Sequence, residues 1–484
     1  MSISGSLSNA LSGLAAASRM ADVVASNTSN AMTEGYARRE LSLASQTLGG
    51  NGAGVRILGL ERITNNTVIQ DLRLATSATS SAGVRADFYS RIEAVLGEPD
   101  DPSSLVAKVT AFEAALVEAS SRPDSASRLE GVLRNATAIT EHLTSVSDEI
   151  STLRMGADQE IQRQIDTLNG SLQQVDQLNA SILAYRSSGR DATALMDQRQ
   201  SIIDQISEIV PVRQQERDNL QVSLYTTGGA ILLEGNPSQI GFSSVGVITP
   251  DMTQQSGALS GLTLNGMTIS SSKGGVLGGG SLGALFEVRD DLATGAQSQI
   301  DAFARDLIER FQDPSVDPTL NSGDAGLFTD AGLAFSNANE VGISGRIRVS
   351  ALVDPAHGGS VSKLRDGLGS TSTGDPSNAT LLNAMLDSLT AARQPATGTF
   401  GGGANGSINL AADFLSQIAG NRLSAEDTAS YATARQGALK ELVLADGVDT
   451  DYEMQMLLKV EQMYAANARV IQTIDSLISQ ILEL

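Results

Sequence analysis

The C-terminal segment constrains the possible folds of this chain most. It carries a helical apolar stripe that is wider than one partner helix would cover. From Tyr452 to Leu484, apolar side chains recur at alternating steps of three and four, the spacing of a heptad seam. The seam consists of Leu457, Val460, Tyr464, Asn467, Ile471, Ile474, Ile478 and Ile481. A second column beside it consists of Met456, Met463, Val470, Leu477 and Leu484. This width predicts contact with more than one neighbouring helix.

The N-terminal segment carries a matching pattern. Between Ile3 and Asn30 the same alternation is formed by Ile3, Leu7, Ala10, Leu14, Ala17, Ala21, Val24 and Thr28. We therefore expect the two ends to pair as helices of one coiled coil. Residues 1–18 contain no charged side chain, which favours surfaces that other subunits complete. An ordinary helix pair within one chain is the alternative, and periodicity alone does not separate the two.

Composition excludes several classes of function. The net charge is −22, which argues against binding to nucleic acid or to an anionic membrane surface. Cysteine is absent, so the chain has no disulfide, thiol nucleophile or thiolate metal site. The two histidines, His142 and His357, are far apart in sequence, and we expect both to be bystanders. We expect no secretory signal peptide and no insertion into a membrane, because neither pattern is present.

The middle of the chain alternates between helical and strand patterns. A small hairpin is predicted from Leu41 and Leu43 to Val55, Ile57 and Leu60, around the turn Gly49–Gly52. Helices are predicted for 64–96, for a segment ending before Pro123, for a long heptad run over 126–186, and for 192–209. Period-two patterns over 211–280 predict short strands, and Ile343, Ile347 and Val349 are also strand-like. Further helices are predicted for 282–311, 379–392, 408–418 and from 425 to the end.

These patterns predict a mainly α fold with inserted β structure. A terminal coiled-coil domain would comprise 1–75 and 440–484. A helical-bundle rod domain would comprise 76–210, 281–312 and 376–439. A small β-rich outer domain would comprise 211–280 and 313–375.

The chemical motifs are weak. Gly278–Gly283 matches G-x-G-x-x-G, but a dinucleotide fold needs a buried strand before this motif, and the preceding sequence is polar and turn-like. The acidic run Asp449–Glu453 lacks the glycine and distal glutamate of a calcium-binding loop and is typical of a helix N-cap. The sequence therefore predicts no catalytic residue, no cofactor and no metal site.

Two stretches carry a resemblance to a known family. Asn27–Arg39 resembles the Asn-rich, Gly-Tyr turn after the first helix of flagellar rod, hook and hook-associated proteins, although Glu34 stands where many members have Pro and Thr28 where a second Asn is usual. Gln462–Ile471 resembles the C-terminal signature of the same axial proteins.

Two further stretches resemble the hook-associated members that lie between hook and filament. These are Gly52–Val55 with Gln70–Arg73, and Asp191–Val210, which contains Leu195–Arg199. The resemblance covers the chain from both ends, whereas the middle is short for the family.

This resemblance implies an extracellular structural subunit of the bacterial flagellum that is not an enzyme. It would be exported through the flagellar type III apparatus without a cleaved signal peptide, held by an export chaperone, and would assemble into a ring or helical layer on the hook tip. Its partners would be copies of itself, the hook protein and the second hook–filament junction protein. The alternatives are another axial protein, of hook or rod, and a ligand-binding protein that uses the β domain.

We expect the polymerisation interface to lie in the terminal helices and the turn after the first helix. Its predicted residues are Leu7, Leu14, Val24, Asn27, Asn30, Gly35, Tyr36, Leu457, Val460, Tyr464, Asn467, Ile471, Ile474, Ile478 and Ile481. Asn467 is polar within an apolar seam, and we expect it to set the register of helix pairing.

Overall fold

The computed structural model describes residues 3–33, 35–48, 51–98, 101–401 and 403–482. Most of these residues are helical, and the strands form small antiparallel sheets, which confirms a mainly α fold with inserted β structure. Glu34, the Gly49-Gly50 part of the hairpin turn and the predicted stripe residue Leu484 lie outside the described residues.

The first part of the chain follows the predicted order of elements. It consists of helix α1 (Ile3–Ser29), strands β1 (Arg39–Leu48) and β2 (Asn51–Arg62), and helices α2 (Asn66–Leu96), α3 (Leu105–Ser121), α4 (Ala126–Ser187) and α5 (Thr193–Ile209). The long heptad run is one 62-residue helix, so Gly156 and Gly170 do not interrupt it. Ser104 caps α3 by accepting a hydrogen bond from the backbone N–H of Ala107.

The predicted β region contains two separate sheets. Strands β3 (Val212–Glu216), β4 (Val222–Thr226), β5 (Ile231–Glu234) and β6 (Asn236–Pro237) form one, and β7 (Ile240–Gly241), β8 (Leu262–Leu264) and β9 (Met267–Ile269) form the other. Helix α6 (Gly280–Glu287) follows, then one π turn (Val288–Leu292) and α7 (Ala293–Phe311). Among the described residues, the segment between β9 and Gly278 forms turns, so no strand leads directly into the glycine motif.

In the last third of the chain, the prediction was wrong at one strand residue and at one helix boundary. It consists of β10 (Phe328–Asp330), α8 (Ile343–Arg346), β11 (Ile347–Val349), α9 (Lys363–Asp366), α10 (Thr380–Thr390), α11 (Ser407–Ala445) and α12 (Thr450–Leu482). Ile343 is not in a strand but begins α8, where it is fully buried. The predicted break between 418 and 425 was also wrong, since α11 is continuous there and the chain breaks at 446–449 instead.

Contacts divide the described residues into two units. The first comprises those within 1–79, 166–239 and 431–484, and the second those within 80–165 and 240–430. The core of the second unit includes Phe112, Phe311 and Phe328, whose rings lie 5.2–5.9 Å apart between centroids. It also buries the ion pair of Arg289 with Asp158, at 2.7 Å. The predicted division into three domains remains a proposal.

Candidate assembly site in the terminal helices

Helices α1 and α12 pack against each other in the first unit. Two of the predicted residues on α12, Val460 and Ile474, are buried there, as are Val24 and Asn27 on α1. Leu7, Leu14, Asn30, Gly35, Tyr36, Asn467 and Ile471 are half-buried. The helix pair within one chain therefore uses part of the predicted set.

Helices α1 and α12 approach each other closely at Gly13. A Cβ built on Gly13 would stand 2.8 Å from Oδ1 and 2.9 Å from Nδ2 of Asn467, so any larger residue there requires Asn467 to move. The side-chain amide of Asn467 is held by its own helix, because Nδ2 donates to the carbonyl of Met463 at 2.9 Å. Asn467 thus contacts α1 at a glycine, and sequence analysis did not identify Gly13 as its partner.

The β1–β2 hairpin lies against α1. The backbone N–H of Val55 donates to Oγ of Ser12 at 3.1 Å. Gly54 next to it has φ +96°, and a Cβ there would meet Ser12 Oγ at 2.1 Å. Both the conformation and the close approach require glycine at this position.

Asn27 joins three segments through four hydrogen bonds. Its Nδ2 donates to the carbonyl of Arg39 at 2.9 Å and to Oε1 of Glu453 on α12 at 3.0 Å. Its Oδ1 accepts from the hydroxyl of Tyr36 at 2.9 Å and from the backbone N–H of Arg39 at 3.0 Å. With 1% of its surface exposed, Asn27 has its amide fully used inside the chain. The Asn-rich turn therefore fixes the start of the hairpin to both terminal helices.

Glu453 is the acidic residue among the hydrogen-bond partners of Asn27. It is buried, and burial raises its pKa above the ordinary value, while the hydrogen bond from Asn27 and the charge of Arg38 oppose that rise. Arg38 also lies 5.2 Å from the ring centroid of Tyr452, which brings a second contact from the turn to α12.

Two of the four stretches that carry the family resemblance, Asn27–Arg39 and Asp191–Val210, meet at Asp197. In the hairpin register Arg39 stands opposite Arg62, an arrangement that like charges disfavour. Asp197 of α5 accepts from Arg39 Nη2 and from Arg62 Nε, both at 2.8 Å, so one carboxylate neutralises both. Sequence analysis quoted Asp197 within a motif but predicted no role for it, because its partners lie 158 and 135 positions away.

A band of apolar side chains along α12 remains exposed. It contains four predicted residues, Leu457, Tyr464, Ile478 and Ile481, and three members of the second column, Met463, Val470 and Leu477. Their exposed fractions run from 37% to 58%. Complete burial of such a side chain stabilises by roughly 1.5–3 kcal/mol, so covering the exposed part of each one would add a fraction of that amount. Exposed apolar side chains in this number mark a candidate interaction surface.

A metal site and a membrane-spanning helix each place requirements on the described residues. There, no three His, Cys, Asp or Glu side chains lie close enough together to hold a metal ion. His142 is buried in α4, and His357 is exposed with Nδ1 2.7 Å from Asp354. No helix in the described part of the chain is both long and apolar enough to cross a membrane.

Comparisons with known proteins agree with the predicted resemblance. Residues 89–317 match the family model described as the helical domain of the flagellar hook-associated protein FlgK. Flagellar hook-associated protein 1 of Bacillus subtilis is 23% identical over 516 aligned positions, which cover 98% of this chain and 97% of that protein. The Salmonella typhimurium protein of the same name is 24% identical over 244 positions, 49% of this chain and 44% of that protein.

A solved structure of the flagellar hook junction protein FlgK from Burkholderia pseudomallei is also similar. It covers 54% of this chain and 47% of its own, with 18% identity and a TM-score of 0.45. The sequence comparisons confirm the resemblance to hook-associated members of the axial family.

Proposed function

We propose that this chain, which is similar to flagellar hook-associated protein 1 along nearly its whole length, is a structural subunit of the bacterial flagellum that joins hook to filament. The observation that carries the proposal is the similarity itself, which extends over both terminal segments and the helical middle. No catalytic role is part of it.

The assembly mechanism follows from the two kinds of position in the terminal helices. Buried residues such as Val24, Val460 and Ile474 hold α1 and α12 together within a subunit. The exposed band of α12, with Leu457, Tyr464, Ile478 and Ile481, would pack against helices of neighbouring subunits. Burial of the band on assembly would stabilise the polymer and confine growth to the end where neighbours are present.

The partners in this proposal are copies of the chain, the hook protein on one side and the second hook–filament junction protein on the other. The chain would be exported unfolded through the flagellar type III apparatus, with an export chaperone and without a cleaved signal peptide. The three-domain division into a terminal coiled coil, a helical rod and a β-rich outer part belongs to the same proposal.

Deletion of the gene tests the function. Cells should carry hooks without filaments in electron micrographs, and flagellin should be lost to the medium. Normal filaments would contradict a junction role, and missing hooks would place the protein in hook or rod instead.

Replacement of Ile478 tests the interface. Ile478→Asp puts a charge into the exposed band, so purified protein should fail to assemble while its helix content and melting remain those of the wild type. Gln480→Asp is the matched control, because it adds the same charge at a nearby exposed position outside the band. Assembly of Ile478→Asp at the wild-type rate would exclude this face of α12 as the interface.

A further inference from the structure

The first unit contains a cavity of about 720 Å³ with an unusual concentration of positive charge. It is bounded by the end of β2, the start of α2, helix α5 and strand β3. Its ionisable lining residues are Arg62, Arg73, Arg186, Arg199, Glu61 and Glu216. Four guanidinium groups around one cavity stand out in a chain whose net charge is −22.

Arg199 is the buried cation of this cavity. Only 5% of its surface is exposed, and among the described residues no carboxylate forms an ion pair with it. Both of its hydrogen bonds come from Nη1, to Oδ1 of Asn179 at 2.8 Å and to the carbonyl of Leu220 at 2.7 Å. In the described part of the chain, Nε and Nη2 of Arg199 therefore have no protein acceptor. Buried charged groups of this kind are costly unless a partner neutralises them.

Among the described residues, the surrounding carboxylates act on Arg199 only without direct contact or are paired elsewhere. Arg62 and Arg73 are already bound to Asp197 at 2.8 Å and Asp204 at 2.6 Å. Glu61 and Glu216 are exposed, and Glu216 accepts a hydrogen bond from Asn66 at 3.0 Å.

The electrostatics of Arg199 agree with this geometry. The pKa of Arg199 is lowered to about 10, first by burial and then by the charge of Arg62, while Glu216 opposes the shift. The guanidinium is still protonated at neutral pH, so a largely buried positive charge lines the cavity.

A structural role explains the hydrogen bonds of Arg199 Nη1 but not the rest of its guanidinium group. Its Nη1 holds the turn at Asn219 and Leu220, whose φ angles of 61° and 63° are unusual for residues other than glycine. That role leaves the other side of the guanidinium facing an acceptor that the described residues do not provide. A planar guanidinium presents two parallel N–H groups, which match the two oxygens of a phosphate or carboxylate.

We propose that this cavity binds a small oxyanion, with Arg199 as its principal contact and Arg62, Arg73 and Arg186 contributing the surrounding positive charge. The shared chemistry is an oxyanion with two accessible oxygens, either an inorganic phosphate or a small dicarboxylate. Such a ligand would bridge β2, α2 and α5 within the first unit and stabilise it.

Anion-dependent thermal stability of the full-length protein tests the proposal. Inorganic phosphate, and in a second series succinate, is added at constant ionic strength with chloride as the balancing anion. Either anion should raise Tm saturably in the wild type, as expected for a ligand that binds only the folded state. Calorimetric titration should give a Kd that weakens at least tenfold in Arg199→Gln. A saturating response to phosphate but not succinate identifies a phosphate site, and the reverse identifies a carboxylate site.

The matched control is Arg213→Gln. Arg213 is exposed in β3 of the same unit and does not line the cavity, so its replacement removes one positive charge without touching the site. Its response to the anions should equal that of the wild type. The proposal is overturned if neither anion gives a saturable rise in Tm, or if the wild type, Arg199→Gln and Arg213→Gln respond alike.

A second variant covers the case in which Arg199→Gln does not fold. Arg186 lines the cavity but is exposed, so Arg186→Gln leaves the buried contacts of the fold intact. It should weaken anion binding about threefold with an unchanged circular dichroism spectrum. Binding of unchanged strength in Arg186→Gln, together with misfolding of Arg199→Gln, would count against the site.

Discussion

At the scale of single residues, Asn27 belongs to a motif that predicts a turn, and its side chain also joins that turn to both terminal helices. Small polar residues after a helix are typical of a turn, and the sequence predicts one there. In the structure all four hydrogen bonds of the Asn27 side chain are used, and one of them reaches α12, 426 positions away. Its function in the fold depends on donating and accepting at once, which an amide can do and a carboxylate cannot.

Asn27→Asp should therefore be severely destabilising. The variant loses both donors and places a carboxylate beside Glu453, so we expect a loss of about 3–5 kcal/mol in the free energy of unfolding at pH 7. Denaturant titration at pH 7 and pH 4 measures this, and the loss should shrink at the lower pH as carboxylates are protonated.

Asn30→Asp makes the same chemical change at a half-buried position and serves as control. It should cost about 1 kcal/mol or less. Adding Glu453→Gln to Asn27→Asp should recover much of the stability. Equal losses in Asn27→Asp and Asn30→Asp would contradict the role of Asn27 in joining the turn to α12.

His142 is a second residue whose environment, rather than its type, decides its behaviour. It is buried in α4, and its Nε2 is among the buried side-chain atoms without a partner in the described residues. Burial lowers its pKa to about 4 from 6.5, and Lys108 adds to the shift, while a hydrogen bond to the backbone of Leu96 opposes it. The unfolded chain therefore binds this proton more strongly than the folded chain, and the difference lowers stability as the pH falls below 6.5.

Stability should fall as the pH drops from 6.5 towards 4. Between pH 7 and pH 4.5 the contribution of His142 amounts to about 2–3 kcal/mol. His142→Gln cannot titrate but can still donate to Leu96, so urea unfolding of this variant should show an acid-dependent loss smaller by that amount. An undiminished loss in His142→Gln would exclude this residue as the cause.

At the scale of elements, helix ends depend on the balance of local signals. Gly420 and Asn421 weaken α11, but no proline follows, and the helix continues at a cost of about 1 kcal/mol for the glycine. At 446–449 the stop is stronger, because Gly447 ends one helix and Asp449 begins the next by accepting from the N–H groups of Asp451 and Tyr452, at 2.9 and 3.2 Å. The acidic run at 449–453 is thus a helix N-cap, as predicted.

The pairing of α1 with α12 makes Gly13 and Asn467 interdependent. Gly13→Ala should gain roughly 0.8–1 kcal/mol of helix propensity when Asn467 is replaced by Ala, but little or nothing when Asn467 is present, because the new Cβ collides with its amide. A double-mutant cycle by denaturant unfolding should give a coupling energy of at least about 0.5 kcal/mol.

Gly437→Ala in α11 is the control for this cycle, since a Cβ there would meet nothing within 4 Å. Its effect should add to that of Asn467→Ala. Additivity of Gly13→Ala as well would show that the two helices do not approach at this point in solution.

At the scale of the whole molecule, charge would oppose the proposed assembly and the apolar band of α12 would favour it. Every copy carries −22, so subunits repel one another at long range. Salt screens this repulsion over a length that falls to about 8 Å at 0.15 M ionic strength, and it leaves the apolar contact largely unaffected.

Assembly should therefore accelerate as ionic strength rises from about 0.02 M to 0.15 M, a range over which the screening length falls by more than half. Light scattering of the purified chain follows the rate, and Ile478→Asp should stay unassembled throughout. Slower assembly at higher salt would mean that ion pairs between subunits, rather than apolar burial, hold the polymer together.

Most of the secondary structure, the hairpin and the terminal stripes follow from the sequence by itself, because periodicity and turn residues are local signals. The 62-residue α4 and the α12 seam were predictable for that reason. Only the tertiary structure decided which face of α12 is covered, that Asp197 neutralises Arg39 and Arg62, and that Arg199 is buried beside a cavity. Burial and pairing depend on contacts between residues far apart in the chain, and a local pattern does not encode which distant residue arrives.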